Sequence, residues 1–335
     1  MSISAKEIAR ELHLSAATVS MVLNNKGGIS EKTRARVLET ARKRGYDFSK
    51  KGEPEGGRGV IQFVVYKEHG MVVADTPFFS QISEGVDIGC KRAGYELQMT
   101  YFYGAQDRAK QLQAICDRKS QGILLLGTEM EAESFRPFSA LTVPLVVLDT
   151  YFEELNCDSV LINNVQGAYL ATNYLVGRGL KTVGYLHSSY PIGNFAERAD
   201  GYYKALRSHR MPTDHPYVHK LTPSVEGAYG DMLKILQDGF PVAQGYFADN
   251  DLIAAGAVRA FQQCGFRIPQ DVSIVGFDDM PVCEYLEPKL TTMAVPKRAL
   301  AELAVERLVG KIRKPKSAVT KTEVSVSLRE RMSVR

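Results

Sequence analysis

The sequence is poor in features that would place the protein in a membrane or cross-link it by disulfide bonds. No apolar run approaches the roughly 18 to 20 residues that a membrane-spanning helix needs. The stretch MSISAKEIARELHL is charged from Lys6 onward and lacks the apolar core of a secretory signal. The five cysteines are scattered, and no two are spaced as C-x-x-C, so we expect neither a disulfide framework nor a structural zinc site. We therefore expect a cytoplasmic protein with no membrane association.

The sequence also lacks the short motifs that mark common enzymes. It contains no G-x-G-x-x-G dinucleotide motif, no G-x-x-x-x-G-K-[ST] phosphate loop and no G-x-S-x-G nucleophile elbow. The side chains of the adjacent pair Asp278 and Asp279 are expected to diverge, and the histidines show no spacing typical of metal ligands. We expect a protein that is not an enzyme and that has no catalytic residues, no metal site and no cofactor.

What the sequence does have is length and an uneven distribution of charge. A chain of 335 residues is long enough for two or three domains. Residues 1–60 contain 12 Lys and Arg against 7 Asp and Glu, a net charge of +5, which leaves −1 for the rest of a chain whose total is +4. Basic charge confined to one end indicates a small head that binds phosphate groups, attached to a neutral body.

Three helix-start signals occur within the head. Ser4 and Glu7 form a capping box that starts a helix over about residues 5–12, Ser15 is the N-cap of a helix over 16–23, and Ser30 starts a third helix that ends at Gly45. Because only two residues separate the first two helices, the pattern predicts a helix-turn-helix, whose second helix enters the major groove of DNA. The residues expected at the DNA interface are Ala5, Lys6, Ser15, Ala16, Ala17, Thr18, Ser20, Met21, Asn24, Ser30 and Thr33.

From residue 60 onward, short runs rich in β-branched residues alternate with amphipathic stretches. This alternation predicts parallel sheets covered by helices, and the number of strands favours two lobes. The predicted strands are residues 60–66, 95–101, 122–126, 145–148, 160–162, 182–186, 245–247 and 273–277. The predicted helices include residues 79–92, 106–119, 166–178, 196–208, 225–237 and 251–264.

Polar side chains follow several of these strands. Asp149, Asn250, Asp251 and Asp278 each come at or just after the carboxyl end of a predicted strand, which is where open α/β sheets bind their ligands. Carboxylates, amides and an arginine can bond to neighbouring hydroxyl groups, and a phenylalanine can stack on the apolar face of a sugar. Asp251 and Asp278 also have a simpler interpretation, because aspartate commonly caps helices or lies in loops.

The string AKEIARELHLSAATVSMVLNNKGGISEKTRARVLETARKRGY closely resembles the head of the LacI/GalR family of bacterial repressors, with T-V-S-x-V-L-N and S-x-x-T-R-x-x-V at the family's spacing. The resemblance continues over nearly the whole chain. The body segments that carry it are PLVVLD at 144–149, RADG at 198–201, ADNDLIA at 248–254, PQDVS at 269–273, GFDD at 276–279 and PKLTT at 288–292.

The resemblance implies a helix-turn-helix over residues 1–48 and a periplasmic-binding-protein-like α/β body (type I) over 60–335, joined by a linker over 49–59. It places lobe 1 at about 60–160 and 290–320, and lobe 2 at 161–289 and 321–335. It also implies a homodimer on a palindromic double-stranded DNA operator, with a small effector, a sugar or sugar derivative, between the lobes. The effector contacts that it implies are Phe78, Phe79, Asp149, Arg198, Asn250 and Asp278.

The sequence departs from the family pattern at three places. Met21 stands where relatives usually carry an arginine, so we expect a different base preference there, unless Met21 only packs on the helix surface. The linker has four glycines, a proline and no apolar wedge, which favours a tether over a DNA-kinking hinge helix. Asn163 and Asn164 replace the usual Asp-Asn, a change that we expect to affect the crossing between lobes.

Other functions remain open from the sequence. The regulator could respond to a protein co-effector or a sugar phosphate, and the effector could release or strengthen DNA binding. A free solute-binding protein would fit the body alone, but the basic head and the lack of a signal segment oppose it. The final residues show no leucine heptad, which favours a dimer over a tetramer held by a coiled coil.

Overall fold

The computed structural model describes residues 3–23, 29–46, 58–73, 76–214 and 216–335. The chain divides into two compact units, a head over Met1–Arg58 and a body over Gly59–Arg335. Apart from Arg58 and Gly59, the predicted linker over 49–59 lies outside the described residues, as does Asn24.

The head consists of three helices, α1 (Ala5–Glu11), α2 (Ala16–Leu23) and α3 (Glu31–Lys43). Each begins where a side chain bonds to a backbone N–H three residues later: Ser4 accepts from Glu7, Ser15 from Thr18 and Ser30 from Thr33. The three helices share a small apolar core, whose buried members are Ile8, Ala9, Val19, Val22, Val37 and Ala41. The predicted helix-turn-helix is confirmed.

The body contains two six-stranded sheets. Lobe 1 has the order β11-β5-β4-β3-β1-β2 and is parallel throughout; lobe 2 has the order β12-β10-β9-β8-β6-β7, in which only the β10–β12 pair is antiparallel. The lobe 1 strands are β1 (Val60–Lys67), β2 (Glu96–Tyr103), β3 (Gly122–Leu126), β4 (Leu145–Leu148), β5 (Asp158–Ile162) and β11 (Lys321–Val324). The lobe 2 strands are β6 (Val183–Ser188), β7 (Val218–Leu221), β8 (Gly245–Ala248), β9 (Ser273–Asp278), β10 (Thr291–Ala294) and β12 (Ser327–Arg329).

Helices connect the strands, as expected for parallel sheets. They are α4 (Pro77–Ala93), α5 (Arg108–Asp117), α6 (Ala132–Ser139), α7 (Asn164–Gly177), α8 (Gly193–Ser208), α9 (Val225–Gln237), α10 (Asp251–Gln263), α11 (Val282–Tyr285) and α12 (Lys297–Arg313). The strands β3, β5, β8 and β9 are buried along their whole length, which is typical of a sheet covered on both faces. The predicted α/β architecture with parallel sheets is confirmed.

Strand pairing corrects the predicted lobe boundaries. We expected residues 290–320 in lobe 1 and 321–335 in lobe 2, with crossings near 160, 290 and 320. However, β10 (Thr291–Ala294) pairs with β9 in lobe 2, and β11 (Lys321–Val324) pairs with β5 in lobe 1. The chain therefore crosses between β5 and α7, between β10 and α12, and between β11 and β12. The expected crossings stood a few residues too early because short strands extend each lobe up to its crossing.

Candidate effector site and DNA-binding head

A cavity of about 200 Å³ lies between the two lobes, at the carboxyl ends of strands from both sheets. The structure brings all six predicted effector residues into its wall. Lobe 1 contributes Phe78, Phe79 and Asp149, and lobe 2 contributes Arg198, Asn250 and Asp278. Their part in effector binding stays a prediction, but the arrangement offers apolar rings and polar groups to one small ligand.

Two carboxylates reach this cavity from opposite lobes. Asp149 follows β4 with φ of +66°, and Asp278 ends β9 with φ of +108°, both in the left-handed region that non-glycine residues rarely adopt. The Thr128 hydroxyl donates to Asp149 Oδ2 at 2.6 Å. The other oxygen of Asp149 and Oδ1 of Asp278 are buried, and neither has a hydrogen-bond partner among the described residues. Such buried acceptors are costly unless a ligand supplies donors.

Arg198 lies on α8 and is 3% exposed. Its Nε donates to Asn164 Oδ1 at 2.9 Å, and its Nη1 donates to the carbonyl oxygen of Asp249. The guanidinium also lies 3.8 Å from the ring centroid of Phe277, and its Nη2 is 3.6 Å from Asp278 Oδ1. Arg198 is thus oriented from several sides, and it brings positive charge to the carboxylates of the cleft.

The first crossing between the lobes supports this arginine. Asn163 caps α7 by accepting from the N–H of Gln166 at 3.0 Å, and Asn164 is buried beside Arg198. A Cβ at Gly201 of α8 would lie 2.3 Å from the carbonyl oxygen of Val165, so only glycine permits this close approach of α8 to α7. The Asn163-Asn164 departure therefore lies at the crossing, as its position in the sequence predicted.

Burial sets the ionisation of the cleft carboxylates. It raises the pKa of Asp149 to about 6, against the opposing effects of the Thr128 hydroxyl and Arg198. It also raises the pKa of Asp278 to about 6, where Arg198 and Lys297 oppose the rise. Both groups therefore change charge just below neutrality, and their charged forms are the stronger hydrogen-bond acceptors.

The two residues that follow Asp249 after β8 differ in position, because Asn250 lines the cavity and Asp251 does not. Asn250 lines the cavity and also caps α10, because its Oδ1 accepts from the N–H of Ile253 at 2.9 Å. Asp251 does not line the cavity. Its carboxylate accepts from the Thr292 hydroxyl at 2.6 Å and from the Met280 N–H at 2.7 Å, so it joins α10 to β10 and the segment after β9. Asp251 therefore has a structural role, although it is the first residue of α10 and neither its N-cap, which is Asn250, nor a loop residue.

The two phenylalanines at the start of α4 form the apolar part of the wall. Their rings meet edge to face with centroids 5.0 Å apart. Phe78 is buried and Phe79 half-buried. The Nζ of buried Lys297 lies 5.7 Å from the Phe78 ring and also donates to the backbone carbonyl oxygen of Asp278, so it links the ring to the main chain at the end of β9.

In the head, most of the predicted DNA-contacting residues that the structure describes lie at helix starts, whereas Ser20 and Met21 lie in the second half of α2. Ser15, Ala16, Ala17, Ser20, Ser30 and Lys6 are exposed, while Ala5, Thr18, Met21 and Thr33 are half-buried. The hydroxyls of Ser15 and Thr18 lie 2.8 Å apart, and the Ser30 hydroxyl donates to that of Thr33 at 2.9 Å. These hydroxyls already have local partners, but DNA can still bond to their remaining acceptor or donor capacity. Met21 is only partly accessible, and its role in base recognition stays a prediction.

Comparison with known proteins identifies the family. The family model described as "Bacterial regulatory proteins, lacI family" matches residues 4–48. The family model described as "Periplasmic binding protein-like domain" matches residues 172–334. The Ribose operon repressor of Haemophilus influenzae is 32% identical to this chain, and the alignment covers 92% of each. The chain belongs to the LacI family of bacterial regulatory proteins. It is a DNA-binding transcriptional regulator.

Two further relatives show the range of this LacI-family similarity. The HTH-type transcriptional repressor PurR of Aliivibrio salmonicida is 28% identical over 92% of each chain. A crystal structure of a LacI family transcriptional regulator from Enterococcus faecium with bound ribose is 25% identical, with a TM-score of 0.70 over 82% of this chain and 98% of that one.

The cleft of this LacI-family protein also contains residues that the sequence did not single out. Thr128 comes soon after β3 and so lies at the carboxyl end of a parallel strand. Asp149 was predicted from the same kind of position. Asn194 lies one helical turn before Arg198 on the same helix, a spacing that would have indicated it. Met71 and Val72 come from the β1–α4 loop, where no local pattern marks them. The other wall residues are Thr76, Ile192, Phe195, Pro223, Ser224, Leu252 and Met280.

Among the described residues, no helix is long and apolar enough to cross a membrane, and no group of His, Cys, Asp and Glu side chains is arranged to hold a metal ion.

Proposed function

We propose that this LacI-family regulator is a repressor whose effector is a small uncharged sugar, with D-ribose as the first candidate. The observation that carries the proposal is a pair of buried carboxylate oxygens, Oδ1 of Asp149 and Oδ1 of Asp278, that accept no hydrogen bond from the described residues, although Arg198 Nη2 lies 3.6 Å from the second. Sugar hydroxyls are the donors that would satisfy both, and one sugar could reach the two lobes at once. A relative named for the ribose operon and a relative with bound ribose support the choice of sugar.

The same geometry argues against a sugar phosphate. A phosphate is bound most strongly by free cationic donors. Arg198 is already engaged by Asn164, the Asp249 carbonyl and Asp278, and Lys297 donates to the carbonyl oxygen of Asp278. Two carboxylates beside the cavity would also repel a dianion. A neutral polyol is complementary to both the carboxylates and the apolar rings of the cavity wall, because its hydroxyls can donate to the carboxylates and its carbon face can lie on the phenylalanines.

The regulator would act as a homodimer on a palindromic operator in the cytoplasm, where its DNA lies. Two heads then contact half-sites about one helical turn apart. The outer strand β2 of lobe 1 supports a dimer, because Met99, Tyr101 and Tyr103 alternate along one face and are each about 40% exposed. A second copy of the chain would cover this face. Closing of the cleft around a sugar would change the spacing of the two heads and hence the affinity for the operator.

Titration calorimetry with D-ribose, D-galactose and D-ribose 5-phosphate tests the effector, and operator binding with and without the best ligand tests regulation. We expect a neutral sugar to bind and to change the affinity for the operator. Binding of D-ribose 5-phosphate in preference to every neutral sugar would contradict the effector assignment. An operator affinity that is the same with and without the best ligand would contradict the proposed regulation. Light scattering of Tyr101→Glu against wild type tests the dimer.

A further inference from the structure

Two loops, one from each lobe, meet beside the effector cavity. The loop after β1, residues 68–73, places Met71 and Val72 in the cavity wall, and the loop after β6, residues 189–192, places Ile192 there. The rings of His69 and Tyr190 contact each other between these loops, with centroids 4.9 Å apart and planes inclined by 60°. The two lobes are therefore joined by an aromatic contact whose neighbours in sequence line the cavity.

The loop in lobe 1 is organised by one buried carboxylate. Glu129 Oε2 accepts from the N–H groups of Glu68, His69 and Gly70 at 2.9, 3.2 and 2.8 Å, and its Oε1 accepts from those of Val72 and Val73 at 2.8 and 2.7 Å. Burial of Glu129 opposes its charge, but these backbone donors outweigh burial and hold the pKa of the carboxyl below its usual value. An ionised acceptor of five N–H groups fixes the course of the whole loop.

The same loop sets the orientation of the histidine ring. The N–H of Met71 donates to His69 Nδ1 at 3.1 Å, and Glu129 Oε1 lies 3.3 Å from that nitrogen. These two contacts orient the His69 ring from within its own lobe, and Tyr190 meets that ring from lobe 2.

The loop in lobe 2 has a matching anchor. The N–H of Tyr190 donates to Ser188 Oγ, and the Ser188 hydroxyl donates back to the Tyr190 carbonyl oxygen, both at 3.1 Å. The N–H of Ser188 donates to Asp249 Oδ2 at 2.7 Å, and the side chain of Asp249 is fully buried. Each ring of the contact thus stands on a loop that is tied to a buried carboxylate of its own lobe.

We propose that the His69–Tyr190 contact is a latch that holds the two lobes closed over the effector, and that Glu129 is the positioning residue for its lobe 1 half. The proposal rests on the proposed function, because it concerns the cavity assigned there to a sugar. Both rings lie outside the buried core clusters of the described residues, and each loop has its own anchor, so the contact can open without unfolding either lobe. The ring contact requires the two loops to lie close together, so it favours the closed arrangement with or without a ligand and raises ligand affinity.

The first test removes the ring of Tyr190. Tyr190→Ala should weaken D-ribose binding about two- to tenfold in titration calorimetry, the range expected for one aromatic contact. Tyr190→Phe keeps the ring and should bind as wild type does. Tyr285→Ala, at a tyrosine of lobe 2 that is 86% exposed, is the matched control. Unchanged affinity in Tyr190→Ala, or equal loss in Tyr190→Phe, would overturn the latch.

The second test needs no ligand. Hydrogen exchange of the amides in loop 68–73 should be faster in ligand-free Tyr190→Ala than in wild type or Tyr190→Phe, and fastest in Glu129→Gln, which replaces an ionised acceptor by a neutral amide. If wild type fails to bind ribose, the proposed function fails while exchange still decides the latch. Exchange in Tyr190→Ala that equals wild type overturns the latch, whether or not ribose binds.

A double-mutant cycle separates a direct contact from two independent effects. His69→Ala combined with Tyr190→Ala should speed the exchange of Gly70, Val72 and Val73 no more than Tyr190→Ala alone, because either change removes the same ring contact. Met71 is left out because its own N–H bonds to His69 Nδ1. Additive effects of the two changes would show that the rings act separately, and would overturn the latch.

Discussion

The head and the body of this protein use polar side chains in opposite ways. In the head, Ser4, Ser15 and Ser30 are exposed and bond to groups three residues away. In the cleft of the body, the polar groups are buried and their bonds join distant parts of the chain, as between Arg198 and Asn164 or between Lys297 and Asp278.

The difference has an energetic consequence. A helix cap can be lost with a cost of about 1 kcal/mol, because water replaces the missing bond. A partner removed from a buried network leaves a charge that nothing else satisfies. We therefore expect single changes in the cleft to be more damaging than single changes at the exposed face of the head, and effects in one unit to leave the other unit's activity intact.

The largest effect should follow from Arg198→Met. Removing one partner of a buried ion pair costs about 3 to 5 kcal/mol, because Asp278 must then either hold a buried charge without its arginine or take up a proton. We expect D-ribose affinity to fall by more than about a hundredfold, with a lower melting temperature, while operator affinity without ribose stays as in wild type. Calorimetry, thermal melting and operator binding measure these three quantities.

Arg207→Met is the matched control for this change, since Arg207 lies on the same helix α8 and is exposed. It should leave both the melting temperature and the affinity for ribose close to those of wild type. Arg198→Met that binds ribose normally would remove the contrast between the two units, because the buried network would then tolerate the loss of a partner.

The contrast between the units also governs what could be predicted from the sequence. All three helices of the head were predicted to within about two residues, because their signals, such as Ser4 with Glu7, are local. In the body, the strands β7, β10, β11 and β12 were not predicted. Each has only three or four residues. The strand β11, with the sequence KTEV, has little apolar character, and it is a strand because it pairs with β5, some 160 residues earlier.

The cleft shows the same limit. Asp149 follows β4 and Asp278 ends β9. Because open α/β sheets bind ligands at the carboxyl ends of their strands, both residues could be predicted as cleft residues without knowledge of their partners. Met71 and Val72 could not be found in that way. Their loop takes its shape from Glu129, which stands more than 50 positions further along the chain and carries no local sign of that role. The long helix α12 was not named among the predicted helices, and its place against lobe 1 depends on the second crossing between lobes.

The next largest effect should come from Met21→Arg in the head. An arginine there can form a bidentate pair with guanine, which is worth about 1 to 3 kcal/mol of discrimination. We expect base preference to change about ten- to a hundredfold at one position of each half-site, with ribose binding unaltered. Binding to a panel of half-sites measures this, with Met21→Leu as a control that keeps an apolar side chain. Unchanged preference at every position would show that Met21 only packs on the helix surface.

The smallest effect should be the pH dependence of ribose binding. Burial raises the pKa of Asp149 and Asp278 to about 6, so both carboxylates take up protons as pH falls through that value. Sugar hydroxyls bond more strongly to the ionised forms, and binding should therefore weaken by about tenfold between pH 7.5 and 5, with protons released on binding near pH 6. Calorimetry in buffers of different ionisation enthalpy measures both quantities.

The sign of this effect separates ligand binding from folding. An acid whose pKa is raised in the folded state holds its proton more tightly there than in the unfolded chain. The contribution of Asp149 to the free energy of unfolding therefore increases as pH falls through about 6, while its contribution to ribose affinity decreases. Asp149→Asn should remove the part that Asp149 contributes to both trends and leave the part that comes from Asp278. Ribose affinity that holds constant from pH 7.5 to 5 in wild type would mean that these buried carboxylates do not accept bonds from the effector, and that the polar groups of the cleft serve the fold alone.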